Sequence, residues 1–275
     1  MEYRARLLEH LIKYKHSVLG IREAGTFRYR GNNVPKDHVL PQAKKWANLL
    51  DLARPLVQAY LTAHTEVRPH RYFHHLNSSQ AFAFNLFFPF FGGTSAASSA
   101  LLRALGQALP LASWEPEAVP DKEEGTNVDV RWQLTDGTVV MCEVKLSEAD
   151  FGKAVADEKH RGKLRDTYRP VLTGNVSAQM LEEPYVFRAY QILRNVWHML
   201  LVPGSRLVFL LPRAHERLWE ELLAALAELA PATRKRVAVV AIEEVLARLQ
   251  ADARCPGALR QYARLLEGKY VVSAS

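Results

Sequence analysis

The segment Val128-Asp-Val-Arg-Trp-Gln-Leu134 alternates strictly between apolar and polar residues, and Thr138 to Leu146 follows directly after Thr135-Asp136-Gly137. A period of two is the mark of a strand with one buried face, and Asp-Gly between two such runs marks a hairpin. The turn length decides the register. A two-residue turn pairs Val130 with Glu143 and Trp132 with Met141, and sends Asp129 and Glu143 to opposite faces. A three-residue turn with Gly137 left-handed shifts the pairing by one. Val128 then faces Val144, Val130 faces Cys142, Trp132 faces Val140 and Leu134 faces Thr138, which makes a consistent core face. On the other face Asp129 lies opposite Glu143, Asn127 opposite Lys145 and Arg131 opposite Met141.

Two carboxylates directly across a ladder stand ~5 Å apart at Cβ and repel. Lys145, two residues beyond Glu143, shares their face. This arrangement asks for positive charge, and hard oxygen ligands suit a divalent cation such as Mg²⁺, or Mn²⁺. The plainer alternative is a solvated strand face with a surface salt bridge, which is worth little.

The rest of the chain has an α/β texture. In residues 1–75, Leu7, Leu8, Leu11, Ile12 and Leu19 recur at helical spacing, a polar stretch runs from Arg28 to His38, and Ala43 to Thr62 resumes the helical period. Asn77 to Gln80 can cap a helix Ala81 to Phe88, which Pro89, Gly92 and Gly93 are expected to end. A second helix spans about Ser95 to Leu109, and Trp114 to Glu124 reads as a prolyl, acidic connection. Pro184 to Leu201 is an amphipathic helix on which Arg188, Gln191 and Asn195 form one polar stripe. Leu207 to Leu211 and Val237 to Ile242 are short apolar runs typical of strands covered on both faces. The helix Ala214 to Leu229 between them argues for a right-handed crossover. The expected division is a helical N-terminal extension, 1–75, and an α/β core, 76–275.

At 275 residues the chain needs no disulfide to fold, and its two cysteines fit a reducing compartment. Cys142 faces the core in the chosen register, as a buried thiol. No run reaches the length of a membrane span, and the charged N-terminal stretch is not a signal peptide. A soluble, cytoplasmic protein is expected. The formal net charge of +7 leans towards a polyanionic partner. Lys153, Lys159, Arg161 and Lys163 lie in a basic run beyond the hairpin that suits phosphate contacts, or simply a solvated loop. His70, His74 and His75 lack a carboxylate or cysteine at ligand spacing and read as structural or surface residues. The phenylalanines between Phe82 and Phe91 read as core.

Asp129, thirteen intervening residues and Glu143-Val144-Lys145 on the next strand resemble the PD-(D/E)xK nuclease superfamily. Val128 replaces the usual proline. Ser78-Ser79-Gln80 with Asn85-Leu-Phe, and Tyr190-Gln191-Ile-Leu-Arg194-Asn195, resemble more narrowly the PGN_0703 group of restriction-endonuclease-like proteins. The resemblance implies a mixed central sheet flanked by helices and a nuclease that hydrolyses phosphodiesters, with DNA as substrate and partner. It implies Mg²⁺ held by Asp129 and Glu143, with Lys145 offsetting phosphate charge and Gln191 supporting the site. Lys153, Lys159, Arg161, Lys163 and Arg188 become candidate nucleic-acid contacts. The third metal ligand is left open between Glu124, Gln80 and some other residue, and so is pairing of two copies. The alternative function is an inactive nucleic-acid-binding or assembly module on the same fold.

Overall fold

A computed structural model describes residues 2–29 and 31–272. The chain forms two compact units, one from residues 1–111 and 241–275 and the other from residues 112–240. The expected boundary at residue 75 falls inside the first unit.

The first unit is mainly helical, with a hairpin, β1 (Gly25–Tyr29) and β2 (Asn32–Lys36), that overlaps the stretch read only as polar, Arg28 to His38. Its central helix, Ser79–Phe91, is almost wholly buried. Ser78 caps it, its hydroxyl accepting from the Ala81 N–H at 3.2 Å. Pro89 does not end this helix, contrary to expectation. A helix proline leaves the carbonyl four residues earlier without a donor. Here that carbonyl, on Asn85, accepts from the Tyr262 hydroxyl at 2.8 Å, so the helix runs on to Gly92. Asn85 also ties the unit together through its side chain, which bonds Leu50, Asn48 and Tyr270.

The second unit is built on a five-stranded mixed sheet in the order β3-β4-β5-β6-β7. The strands are β3 (Leu111–Ala118), β4 (Val128–Leu134), β5 (Val139–Val144), β6 (Arg206–Leu211) and β7 (Val237–Ala241). The β4–β5 hairpin has the expected three-residue turn and register: Val130 pairs with Cys142, Arg131 with Met141 and Trp132 with Val140. Gly137 adopts φ 85°, which the turn requires and a Cβ resists. Val128, Val130, Trp132 and Leu134 are buried, whereas Asp129 and Arg131 are half-buried and Gln133 is exposed. β5 is buried on both faces and pairs in parallel with β6.

Three expectations need correction in this unit. The prolyl segment begins inside strand β3, which sits at the sheet edge, where a proline costs no central ladder bond. The helix expected over Pro184–Leu201 is two helices, Glu183–Arg188 and Tyr190–Leu201, broken at Ala189 (φ −102°, ψ 25°). The break removes Arg188 from the polar stripe and leaves Gln191 and Asn195 four residues apart on one helix face.

Candidate active site

The site lies where β4 and β5 leave their ladder. Glu143 is the penultimate residue of β5. Lys145 follows the strand but is still anchored to β6, its N–H donating to the Leu210 carbonyl at 2.9 Å. Alternation therefore puts Glu143 and Lys145 on one face, towards the helix Tyr190–Leu201. The Glu143 Oε1 accepts from Gln191 Nε2 at 2.6 Å and from Lys145 Nζ at 3.0 Å. Its Oε2 accepts from Asn195 Nδ2 at 3.0 Å. Lys145 Nζ also donates to Gln191 Oε1 at 2.8 Å, which closes a triangle of lysine, glutamine and glutamate. The side chains of Lys145 and Glu143 are only 9% and 4% exposed, so the pair is shielded from solvent screening.

Asp129 comes from β4. Its Oδ2 accepts the Val144 N–H at 2.7 Å, spanning the hairpin beside Glu143. Burial first, then the negative charges of Glu143 and Glu117, push its pKa well above the usual carboxylate value. Lys145 and the Val144 N–H oppose this shift without cancelling it. For Lys145, burial pulls the pKa down, but Glu143, Glu148 and Asp129 outweigh burial and raise it. The ammonium therefore stays charged at neutral pH, 5.8 Å over the Phe151 ring.

The loop after Lys145 closes on the same helix. The Gly152 carbonyl accepts from the Gln191 N–H at 3.2 Å, and a Cβ on Gly152 would stand 2.7 Å from Gln191 Oε1. Gly152 has φ 91°. This glycine is required twice over, by its backbone and by the side chain it faces.

A divalent ion fits this donor set. Two carboxylates that repel one another leave Asp129 short of positive charge even beside Lys145. The Asn195 Oδ1 is buried with no hydrogen-bond partner among the described residues. No group of three or more His, Cys, Asp or Glu is arranged to hold a metal among those residues. A hard divalent ion bound through one or two carboxylates completes its shell with water.

Sequence reasoning missed Glu117. It lies on β3, accepts from the Asn127 side chain and contributes to the raised pKa of Asp129. It is also the one non-glycine among the described residues with a left-handed backbone (φ 51°), a conformation that carries strain. No spacing rule points from Asp129 back to it.

The two candidates for a third ligand are engaged elsewhere. Gln80 lies in the first unit and accepts from the His70 N–H at 2.7 Å. Glu124 sits in a buried cluster. Its Oε1 accepts from Lys163 Nζ at 2.7 Å and Tyr168 Oη at 2.6 Å, and Thr126 donates to its Oε2. Burial would raise the Glu124 pKa, but Lys163, Thr126 and Tyr168 overcome it and hold the group lowered to about 2. His198 lies 3.6 Å away, and burial lowers its pKa to about 4 despite Glu124.

The basic run is dispersed. Lys163 is turned inward onto Glu124, and Arg161 pairs with Glu183 at 3.0 Å. Lys153 pairs with Asp150 at 3.1 Å, and Lys159 is exposed. Arg188 is exposed and stacks over the Tyr185 ring at 5.1 Å. Cys142 is fully buried, as expected. No described helix is long and apolar enough to cross a membrane.

A family model described as Restriction Endonuclease associating with ARP matches residues 8–271 of the chain. No curated protein and no solved structure matches it.

Proposed function

The chain belongs to this restriction-endonuclease family, and from that premise we propose that it is a metal-dependent DNA endonuclease of the PD-(D/E)xK type, the PGN_0703 group included. The observation that carries the reading is the convergence of Asp129, Glu143, Lys145 and Gln191 on one face of the sheet. Asp129 and Glu143 would hold Mg²⁺ or Mn²⁺, which when bound polarises the scissile phosphate and makes bound water more acidic.

Lys145 acts as a charge. An ammonium whose pKa is raised is a poor proton acceptor, so it donates to phosphate oxygens and offsets the charge that builds there. Gln191 fixes Lys145 and Glu143 relative to each other, and Asn195 fixes the second oxygen of Glu143. Two side-chain amides on successive turns thus hold the carboxylate in one orientation before substrate arrives, which is the preorganisation such chemistry needs.

The test is cleavage of plasmid and single-stranded DNA with Mg²⁺ or Mn²⁺. Wild type should cut, and Lys145→Ala should lose cleavage by a factor of about 10² to 10³, the scale for removing one charge-stabilising donor. Binding without cleavage by the wild-type protein under both metals would sink the enzyme reading in favour of the inactive module.

A further inference from the structure

A cavity of about 410 Å³ opens in the second unit beside the loop that carries Gly152 and Lys153. That volume lies within the range of small-ligand pockets. Three cations line it, Lys153, Arg188 and Arg217, around an apolar floor that includes Met180. Lys153 is paired with Asp150, but neither arginine has an ion-pair partner among the described residues. The Tyr185 ring under Arg188 orders that guanidinium without neutralising it. Two carboxylates, Glu221 and Glu228, also line the cavity. Glu221 accepts from the Phe151 N–H at 3.3 Å; burial raises its pKa, with the Phe151 N–H, Lys153 and Arg217 opposing the rise.

Unpaired guanidiniums ask for an oxyanion they can grip in a fork, and phosphate is the group that geometry suits best. The apolar floor asks for a flat, weakly polar group, and carboxylates at the edge can accept from ring amino groups. One ligand class carries all three features. We propose that this cavity binds a single nucleotide of a nucleic-acid strand, with its phosphate on Arg188 and Arg217 and its base against the floor around Met180. Lys153, which lines the cavity, adjoins Gly152, whose carbonyl accepts from the Gln191 N–H, so the loop that closes on the candidate active site also contributes to the cavity wall. Choosing a strand nucleotide over a free one rests on the hydrolase reading; the cavity's chemistry does not.

Binding of a short fluorescent single-stranded oligonucleotide, measured in EDTA so that hydrolysis plays no part, tests this. Arg188→Ala/Arg217→Ala should weaken binding about tenfold or more. Ala224→Trp, which fills the cavity from an exposed position on its rim, should do the same with both arginines in place. Circular dichroism of each variant checks folding. Unchanged affinity in both variants overturns the proposal. So does arginine-dependent binding of free dAMP together with oligonucleotide binding that ignores the arginines. A wild type that binds through the cavity yet cuts nothing with Mg²⁺ or Mn²⁺ leaves the proposal standing and removes only the hydrolase reading.

Discussion

Gly152→Ala gives a direct measure of how tightly the loop and the Lys145–Gln191–Glu143 triangle depend on each other. The substitution carries two separable costs. Alanine at a left-handed φ of 91° costs about 1–2 kcal/mol from backbone strain alone. Its Cβ would also lie 2.7 Å from Gln191 Oε1, too close for any real contact. The cheapest escape is to swing the glutamine tip away, but that tip accepts from Lys145 at 2.8 Å, and the same amide donates to Glu143 at 2.6 Å. Hydrogen bonds to charged groups are worth about 1.5–3 kcal/mol, so losing or weakening one brings the total to about 3–4 kcal/mol. In a Gln191→Ala background the clashing atom is gone, and the nearest remaining contact, with the Gln191 Cβ, is an ordinary 3.5 Å. There Gly152→Ala should cost only the backbone strain. Urea unfolding of wild type, both single variants and the double variant yields the coupling, expected at about 2 kcal/mol. Additivity within about 0.5 kcal/mol would refute the claim that Gly152 is a glycine for the sake of Gln191.

The other predictions concern charge and backbone satisfaction. Because the Asp129 pKa is raised in the fold, the native state binds its proton more readily than the unfolded chain, so stability falls as pH climbs from about 4 towards the folded pKa. Asp129→Asn should therefore gain stability relative to wild type at pH 7.5 and show little difference at pH 4 by denaturant titration, while abolishing metal-dependent cleavage. Glu124 has the opposite sign: its pKa lowered to about 2 from 4.5 contributes about 3 kcal/mol above pH 5, shrinking to less than half by pH 3. Glu124→Gln should lose roughly that much in urea unfolding at pH 7, and the gap to wild type should narrow with acid. Tyr262→Phe leaves the Asn85 carbonyl without a donor where Pro89 cannot supply one, and should lower stability by about 1–3 kcal/mol in chemical denaturation.

The β4–β5 hairpin was legible because period-two patterning and one glycine together allow a single sensible register, and that register aligns Asp129 with Glu143. Gln191 could be found because it lay on the polar stripe of an apolar helix. Arg188 was misplaced because nothing at Ala189 signals a break: alanine is the best helix former, and no local pattern encodes the interruption. Strand β3 was hidden by Pro116 and its acidic neighbours, and with it Glu117, whose nearness to Asp129 comes from strand order alone. The inward turn of Lys163 was equally invisible, since a basic run looks the same in sequence whether its charges face solvent or a buried carboxylate.

Gripping one carboxylate with amides from positions 191 and 195 ties it to the rotation of a single helix. The acid cannot reorient while that helix stays put, and any ligand that twisted or slid the helix would shift Glu143 with it. Residues far along the same cylinder, towards Leu201, thus acquire leverage over a group they never touch.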